Sequence, residues 1–229
     1  MSVVGVVPAR GGSKSIPRKN IALLGGRPLL AYTIDAVSGS RLLDRTILST
    51  DSDEIADLGR SLGLEVPYLR PADLAEDTTP IVPVLLQLLD WLEQGGGVVE
   101  ALVLLQPTSP FRTAADIDGA VKLLRDRDAD SVVTIMPVPH QFNPVSVMTM
   151  ENERLTPFLP GEPVLRRQDK PRVFARNGPA VLVVRPRILR QHRLYGEATC
   201  GYEMPADRSV DIDGPDDLAL AELMLGARQ

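Results

Sequence analysis

Residues 3–20 read VVGVVPARGGSKSIPRKN, and this stretch decides the fold that the rest of the chain must complete. The apolar run Val3–Val7 predicts a short strand buried on both faces. Residues 8–20 follow with two glycines, two arginines, two lysines and no acidic residue. Glycines let backbone N–H groups approach an oxyanion closely, and Arg and Lys neutralise its charge. We therefore predict a loop that binds a nucleoside triphosphate at the end of the first strand.

The loop differs from two well-known phosphate-binding loops. A Walker loop requires Gly-x-x-x-x-Gly-Lys-Ser/Thr and a dinucleotide fingerprint requires Gly-x-Gly-x-x-Gly, and the pair Gly11-Gly12 supplies neither. Taken alone, the loop also fits a basic surface turn, because short motifs often match by chance. Both interpretations stay open until the rest of the chain is considered.

Strands and helices alternate after the first loop. Further strands are predicted at 45–49, 65–68, 101–105, 131–136 and 180–184. Helices are predicted at 28–37, from an N-cap at Ser52, at 81–92, at 116–124 and at 215–225. Short aliphatic strands between helices predict an α/β fold, a three-layer sandwich with a mostly parallel sheet. The length of 229 residues suits a single domain, residues 1–229.

The composition argues against several classes of protein. A net charge of −5 and a pI near 5.1 disfavour nucleic acid as a partner, because phosphate backbones select basic surfaces. Cys200 is the single cysteine, so a disulfide within the chain is impossible and a cysteine-based zinc site is not expected. The sequence shows neither an apolar run of membrane-spanning length nor a signal-like N-terminal segment. We therefore expect no membrane partner and a cytoplasmic location.

A loop with two prolines follows the strand predicted at 101–105 and reads QPTSPFR from Gln106 to Arg112. In α/β sheets, ligands bind at the carboxyl ends of the strands. Gln106, Thr108 and Ser109 are therefore candidate binding residues. The loop by itself equally suits a rigid connector in which Thr108 or Ser109 bonds to nearby backbone.

Two aspartates at a spacing of two residues, Asp211 and Asp213, form a third feature. In an extended segment such residues point to the same side, so both carboxylates would face one spot while Val210 and Ile212 are buried behind them. Paired carboxylates suit Mg²⁺ or another divalent cation that also contacts substrate phosphates. The competing interpretation is that Asp213 caps the helix that begins near Pro215.

Together, these three segments resemble the signatures of the CMP-sialic acid synthetase (N-acylneuraminate cytidylyltransferase) family. The first loop matches almost continuously, with Ser15 where that family more often has glycine, and residues 106–112 match the second signature in the same order. The Asp-x-Asp pair occupies the place of the family's metal-binding pair. The resemblance covers nearly the whole chain and implies a nucleotide-diphospho-sugar transferase-like (Rossmann-like) fold. It also implies CTP as the nucleotide, a nonulosonic sugar acid as the acceptor of CMP, and pyrophosphate as the other product.

The resemblance implies roles for individual residues as well. Arg10, Lys19 and Asp211 are the expected catalytic residues, and Asp211 and Asp213 are the expected Mg²⁺ ligands. The expected substrate-binding residues come from the loops of the three signatures and from the later basic stretch: Arg10, Gly11, Gly12, Ser13, Lys14, Lys19, Asn20, Thr79, Gln106, Thr108, Ser109, Arg167, Gln168, Arg176 and Asn177. Since no side chain stands out as a general base, metal-assisted deprotonation of the anomeric hydroxyl is the expected route.

The least regular part of the chain is residues 137–178. In the family, a projecting element in this region mediates dimerisation and reaches toward the partner's active site, which implies a homodimer. In this region Arg176 and Asn177 correspond to residues that contact the sugar acid, and a guanidinium pairs bidentately with a carboxylate.

Three departures from the family pattern concern the choice of acceptor. Asn143 stands where some relatives have His, Arg176 lies one residue later than in some relatives, and Thr78 and Thr79 stand where relatives are richer in Ser. An octulosonic acid or an acid of secondary metabolism therefore remains an alternative acceptor. A non-catalytic CTP-binding protein is the alternative from another class.

Overall fold

The computed structural model describes residues 1–161, residue 164 and residues 166–227. Its helices within those ranges are α1 (Leu29–Gly39), α2 (Asp53–Ser61), α3 (Ile81–Gln94), α4 (Ala114–Asp126), α5 (Pro186–Leu189) and α6 (Pro215–Gly226). Its strands there are β1 (Ser2–Pro8), β2 (Leu23–Leu24), β3 (Arg27–Pro28), β4 (Arg45–Ser49), β5 (Val99–Leu104), β6 (Ser131–Pro137), β7 (Met148–Glu151), β8 (Arg154–Pro157), β9 (Phe174–Arg176), β10 (Leu182–Val184) and β11 (Thr199–Glu203). Among the described residues, no helix combines the length and apolar character needed to cross a membrane.

Seven of the described strands form one sheet in the spatial order β11-β6-β10-β5-β1-β4, with β9 pairing alongside β6. β1 pairs in parallel with β4 and β5, and β6 pairs in parallel with β11. β10 lies between β5 and β6 and is antiparallel to both, and β9 is antiparallel to β6. Five of these seven strands therefore run in one direction, which confirms the predicted mostly parallel sheet.

Helices cover both faces of this sheet. Val3 and Val7 pack in a core cluster with buried residues of α1, α2 and α4. Val4 and Val6 pack in a second cluster with buried residues of α3 and α5. All four valines are fully buried, because consecutive side chains of a strand alternate between its faces and both faces are covered. The predicted three-layer α/β sandwich is confirmed.

A third, smaller core cluster brings the three sequence signatures together. Ile16 of the first loop, Phe111 of the second signature and Ile212 between the two aspartates are buried in this cluster, together with Ala221 of α6. The N–H of Ile212 also donates to the carbonyl oxygen of Thr108 at 2.8 Å. Since the apolar side chains of the three segments pack together, their polar residues lie at one edge of the sheet.

Residues 65–68 form a single β-bridge, between Glu65 and Ile47 of β4, so the strand predicted there is wrong. The N–H of Leu48 donates to the carbonyl oxygen of Glu65 at 2.9 Å. Pro67 has no N–H with which to continue the ladder. The segment therefore touches the edge of the sheet and then leaves it.

The segment predicted to project, residues 137–178, leaves the sheet after β6 and returns to it as β9. Within it, β7 and β8 form a hairpin in which Met150 lies opposite Leu155. All residues of the two strands are exposed, with Met150 at 72% and Leu155 at 60%. The hairpin therefore presents apolar side chains that the described part of this chain leaves uncovered.

A buried guanidinium holds the second signature in place. Arg112 is 3% exposed and donates hydrogen bonds to the carbonyl oxygens of Ala180 and Gln106 and to the hydroxyl of Thr33 in α1. Burial lowers the pKa of Arg112 to about 9, and the charges of Asp211 and Asp116 oppose this. The side chain thus ties the loop after β5 to α1 and to the segment that leads into β10.

We expect Arg112→Met to lower the free energy of unfolding by about 3 kcal/mol, because the buried carbonyl oxygen of Ala180 would lose this donor and that of Gln106 would keep only the 3.3 Å bond from the N–H of Ser109. Urea denaturation followed by circular dichroism measures this loss. The matched control is Arg60→Met, which removes an exposed arginine of α2 that pairs with Asp57 at 2.9 Å and should change stability by less than about 0.5 kcal/mol. Equal stability losses in the two variants would contradict the role assigned to Arg112.

Candidate active site

The first of two adjoining pockets has a volume of about 550 Å³ and lies where β1 and β5 end. We call it the first pocket. Ten of the residues predicted from the sequence line it: Arg10, Gly12, Ser13, Lys14, Lys19, Asn20, Thr79, Gln106, Thr108 and Asp213. A cationic loop, one end of the second signature and one of the two aspartates therefore meet in a single cavity.

The second pocket has a volume of about 570 Å³ and shares Ile81 and Gln106 with the first. Arg176 and Asp211 are the other predicted residues that line it. The rest of its wall is mostly apolar and comprises Leu104, Gly178, Pro179, Leu182, Leu194 and Tyr195. The two aspartates thus fall one to each pocket, and Gln106 lies between the pockets.

Side chains within the first loop fix its shape. Asn20 is buried, and its Nδ2 donates to the carbonyl oxygen of Arg10 at 3.0 Å. The N–H of Gly11 donates to Asp51 Oδ1 at 2.9 Å, and a Cβ at this position would lie 3.0 Å from Ser52 Cβ. The N–H of Gly11 is thus bonded within the chain, and the glycine lets the loop pass close to Ser52, while the contact of Gly11 with substrate stays a prediction.

Asp77 pairs with two of the cations of the first pocket. Its carboxylate forms ion pairs with Arg10 and with Lys14, the latter at 2.8 Å, and it lines the same pocket. The hydrogen bond from Lys14, joined by one from Arg10, holds the pKa of Asp77 below its usual range. An internal carboxylate therefore stands where the loop would receive a phosphate.

Asp211 is the more buried of the two aspartates, and its Oδ1 has no hydrogen-bond partner among the described residues. Burial raises the pKa of Asp211, a hydrogen bond from Thr108 lowers it, and the charge of Asp213 raises it further. A Cβ at Gly178 would lie 3.1 Å from Asp211 Oδ2, so the glycine keeps the space beside this carboxylate open. A desolvated carboxylate with an unpartnered oxygen is a fitting ligand for a cation.

The carboxylate of Asp213 does not cap the helix that follows it. Asp217 Oδ2 accepts hydrogen bonds from the N–H groups of Asp213 and Gly214 at 3.0 and 2.8 Å, and Gly214 is the N-cap of α6. The competing interpretation of Asp213 as the cap is therefore wrong. Its exposed carboxylate instead lies 3.3 Å from Lys19 Nζ.

Two carboxylates are too few to enclose a metal ion by themselves. Among the described residues, no group of three or more His, Cys, Asp or Glu side chains could hold one. The pair Asp211 and Asp213 fits a hard cation that takes its remaining oxygen ligands from phosphate and water, as Mg²⁺ does in many phosphate-binding sites.

Five predicted substrate-binding residues do not line either pocket: Gly11, Ser109, Arg167, Gln168 and Asn177. Ser109 is fully buried, and its Oγ lies 3.1 Å from the position of a Cβ at Gly178. Arg167 and Gln168 are exposed on a short turn of the projecting segment, Arg167–Asp169. Within this chain, these three residues make no direct contribution to the pocket walls.

Asn177 links two segments of the chain through its side-chain amide. It is buried, its Nδ2 donates to Ser209 Oγ at 2.9 Å, and its Oδ1 accepts from the N–H of Ala180 at 3.4 Å. These hydrogen bonds use both polar atoms of the side-chain amide, and they link the segment before β10 to the segment before Asp211. The contact of Asn177 with substrate stays a prediction.

Sequence reasoning missed several polar residues of the two pockets, among them Arg70, Asp77 and Tyr195. Arg70 is buried, lines the first pocket and donates to the side chain and carbonyl oxygen of Ser49 at the end of β4. Asp77 and Tyr195 belong to loops without a recognisable motif. They reach the site through long-range contacts, for which the sequence carried no local signal.

Phosphate-binding cations in one pocket and a carboxylate facing each of two joined pockets suit the in-line transfer of a nucleotidyl group between two substrates. The class of protein defined by this arrangement is a nucleotidyltransferase. A family model described as cytidylyltransferase matches residues 4–186, and the chain belongs to this family.

Individual relatives agree with the family assignment. The chain is 33% identical over 230 residues to CMP-N,N'-diacetyllegionaminic acid synthase of Legionella pneumophila, covering 100% of this chain and 98% of that protein. It is 30% identical over 220 residues to N-acylneuraminate cytidylyltransferase of Streptococcus agalactiae serotype V, covering 95% of this chain and 52% of that protein. The chain thus spans about half the length of the streptococcal relative.

A solved structure of CMP:2-keto-3-deoxy-manno-octonic acid synthetase complexed with CTP shares the fold. It matches with a TM-score of 0.74 at 15% identity and covers 100% of both chains. The likeness confirms the predicted nucleotide-diphospho-sugar transferase-like architecture.

We expect Asp77→Asn to bind CTP more tightly, because the triphosphate would no longer displace a carboxylate from Arg10 and Lys14. Titration calorimetry with CTP and Mg²⁺ should show a Kd lower by about threefold to tenfold, the scale of exposed ion pairs. Asp57→Asn, which removes the partner of Arg60 on the surface of α2, is the control and should leave the Kd unchanged. Weaker binding by Asp77→Asn would instead mean that Asp77 is needed to order the loop.

Proposed function

We propose that this protein transfers CMP from CTP to the anomeric hydroxyl of a nonulosonic, sialic-acid-like sugar acid and releases pyrophosphate. The observation that carries the proposal is the pair of adjoining pockets that share Gln106, with Asp213 in the first and Asp211 in the second. A group that passes from one substrate to another must lie where the two pockets meet. The names of the Legionella and streptococcal relatives support both the nucleotide and the acceptor.

The first pocket binds CTP. Arg10, Lys14 and Lys19 line it and neutralise the phosphates once Asp77 gives way. The contact of Lys19 with Asp213 places one of these cations next to the carboxylate pair. Positioning and charge neutralisation are the main sources of catalysis in phosphoryl and nucleotidyl transfer. Use of CTP suits a cytoplasmic location, which is part of the proposal.

The pair Asp211 and Asp213 would hold a divalent cation such as Mg²⁺. When bound, the cation would neutralise charge on the phosphates and lower the pKa of the attacking hydroxyl. Asp211 supplies the carboxylate whose Oδ1 otherwise has no partner among the described residues. Asp213 remains available because Asp217 takes over the capping of α6.

The second pocket binds the acceptor. Arg176 is the cation among its described lining residues, and its guanidinium can pair with the carboxylate of a sugar acid. Gln106, at the junction of the pockets, is placed to hydrogen-bond the sugar near the reacting hydroxyl. The volume of about 570 Å³ lies within the range of small-molecule sites.

The chemical step conserves atoms. The anomeric oxygen of the acceptor forms a bond to the α-phosphorus of CTP, and the bond from that phosphorus to the bridging oxygen of the β-phosphate breaks. Pyrophosphate leaves with the electron pair, and the hydroxyl proton passes to solvent. Arg10 and Lys19 stabilise the charge that develops on the phosphates.

Two alternatives give different results in the same assay. An octulosonic acid could replace the nine-carbon acid, and the solved octonic acid synthetase shares the fold. A non-catalytic CTP-binding protein has no need of a destabilised carboxylate, and the raised pKa of Asp211 argues against it.

The experiment is to measure pyrophosphate release from CTP and Mg²⁺ with a panel of acids. The panel comprises N,N'-diacetyllegionaminate, N-acetylneuraminate, its deaminated analogue, pseudaminate and 2-keto-3-deoxy-manno-octonate. We expect release with at least one nine-carbon acid and none in the presence of a chelator. Release with the octonate alone would support the first alternative, an octulosonic acid as the acceptor. Binding of CTP without release across the panel would support the second.

Asp211→Asn is the matched control for that assay, since it keeps the shape of the side chain and removes its charge. We expect kcat/KM to fall by at least about 10³-fold. The metal-free variant should melt at the same or a higher temperature. A carboxyl whose pKa is raised in the folded state stabilises the fold below its ordinary pKa and loses that contribution as the pH rises above the folded value.

We also propose that the protein is a homodimer that forms through the β7–β8 hairpin. The exposed pair Met150 and Leu155 supports this, because an apolar patch on a projecting hairpin favours burial against a second surface. The exposed Arg167 and Gln168 of the same segment would then be free to reach the partner's second pocket.

Light scattering coupled to gel filtration should give about twice the chain mass of 24.9 kDa for the wild type. Met150→Asp combined with Leu155→Asp should give the monomer mass. Leu223→Asp is the control, since Leu223 is equally exposed (74%) but lies on α6, away from the hairpin. A monomeric wild type at micromolar concentration would refute the dimer.

A further inference from the structure

Arg176, the cation of the second pocket, is held by a residue outside the sequence signatures. Its Nη1 donates to Tyr195 Oη at 2.9 Å, and its Cζ lies over the tyrosine ring at 5.2 Å from the centroid. Both residues line the second pocket. Tyr195 therefore contacts the guanidinium in two ways, through its hydroxyl and through its ring face.

The loop that carries Tyr195, between α5 and β11, is itself anchored to the start of β6. The N–H of Ala198 donates to Asp130 Oδ2 at 3.0 Å, and the N–H of Asp130 donates to the carbonyl oxygen of Ala198 at 2.9 Å. A Cβ at Gly196 would lie 2.3 Å from Asp130 Cβ, so this close approach requires glycine. Tyr195 is therefore attached to the sheet, and its ring also packs against the core cluster beneath α3 and α5.

The charge of Arg176 is not neutralised within the described part of the chain. Arg172, two residues before β9, also lies over an aromatic ring, that of Phe174, but it pairs with Glu203 at 2.7 Å. For Arg176, the described residues provide the neutral Tyr195 in place of a carboxylate. A cation that is oriented but unpaired is available to an anion from outside.

We propose that Tyr195 is a positioning residue that orients Arg176 toward the carboxylate of the acceptor. The inference rests on the proposed function, because it concerns the same acceptor pocket. A guanidinium has five N–H donors in a fixed plane. The bond to Tyr195 uses one of them and leaves the others free for a bidentate pair with a carboxylate. The ring restricts the long arginine side chain, which reduces the entropy lost when the acceptor binds.

Tyr195→Phe tests the role of the hydroxyl while keeping the ring. With N,N'-diacetyllegionaminate or N-acetylneuraminate, whichever the wild type turns over, we expect the KM for the acid to rise by about threefold to tenfold. The kcat and the KM for CTP should change by less than about twofold, because the interaction is the same in the ground state and the transition state. Tyr195→Leu, which also removes the ring, should raise the KM for the acid further.

The C1 methyl ester of the same acid separates positioning from a general structural effect. The ester lacks the carboxylate charge, so its KM should be high in the wild type and should not rise further in Tyr195→Phe. Tyr32→Phe is the matched control, because Tyr32 on α1 lies under Arg27 at 5.0 Å, outside both pockets. It should leave all the kinetic constants unchanged.

Each outcome decides between named possibilities. An active wild type with an unchanged acid KM in Tyr195→Phe overturns the positioning role and leaves the proposed function intact. Equal rises for the acid and its ester also overturn it, because a structural effect would then suffice. A wild type that turns over neither acid refutes the proposed function, and the inference falls with it.

Discussion

The architecture of the site depends on the buried guanidinium of Arg112. Its hydrogen bonds to the carbonyl oxygens of Gln106 and Ala180 and to the hydroxyl of Thr33 join the loop after β5 to α1 and to the approach to β10. Without Arg112, the buried carbonyl group of Ala180 would lose this donor and that of Gln106 would keep only the N–H of Ser109 at 3.3 Å, which costs free energy. Because Gln106 lies at the junction of the two pockets, the bond that satisfies its backbone also sets where the pockets meet.

Some charged groups of the two pockets are paired within the chain, and others have no partner of opposite charge among the described residues. Asp77 neutralises Arg10 and Lys14 in the first pocket, so a bound anion must compete with it. In the second pocket, Asp211 has an oxygen without a partner among the described residues, and Arg176 has a neutral partner. A folded chain retains such unfavourable electrostatics where a ligand resolves them. The two pockets therefore differ in the charges they present to a ligand. In the first pocket a ligand anion must displace Asp77, whereas in the second pocket Arg176 has no carboxylate partner among the described residues.

The predictions from sequence succeeded where the signal was local. Residues 45–49 were predicted as a strand with the observed limits, because an aliphatic run there is bounded by turn residues. Ser52 caps α2 as predicted, with its Oγ accepting from the N–H of Ile55 at 3.4 Å. The hydrogen bonds of Gly11 to Asp51 and of Asn177 to Ser209 were not predicted, because the partners are distant in the sequence. No local pattern announces those partners.

The sequence by itself determined the class of fold, and it indicated the cationic loop and the pair of aspartates that line the two pockets. Aliphatic periodicity, glycine and charge are properties of neighbouring residues, and they act before any tertiary contact forms. Only the tertiary structure decided that Asp77 and Tyr195 belong to the site, that β10 runs antiparallel, and that Asp211 and Asp213 face different pockets. These features follow from packing and hydrogen bonding between segments far apart in the chain, and the energy of such contacts depends on geometry that local sequence leaves unspecified.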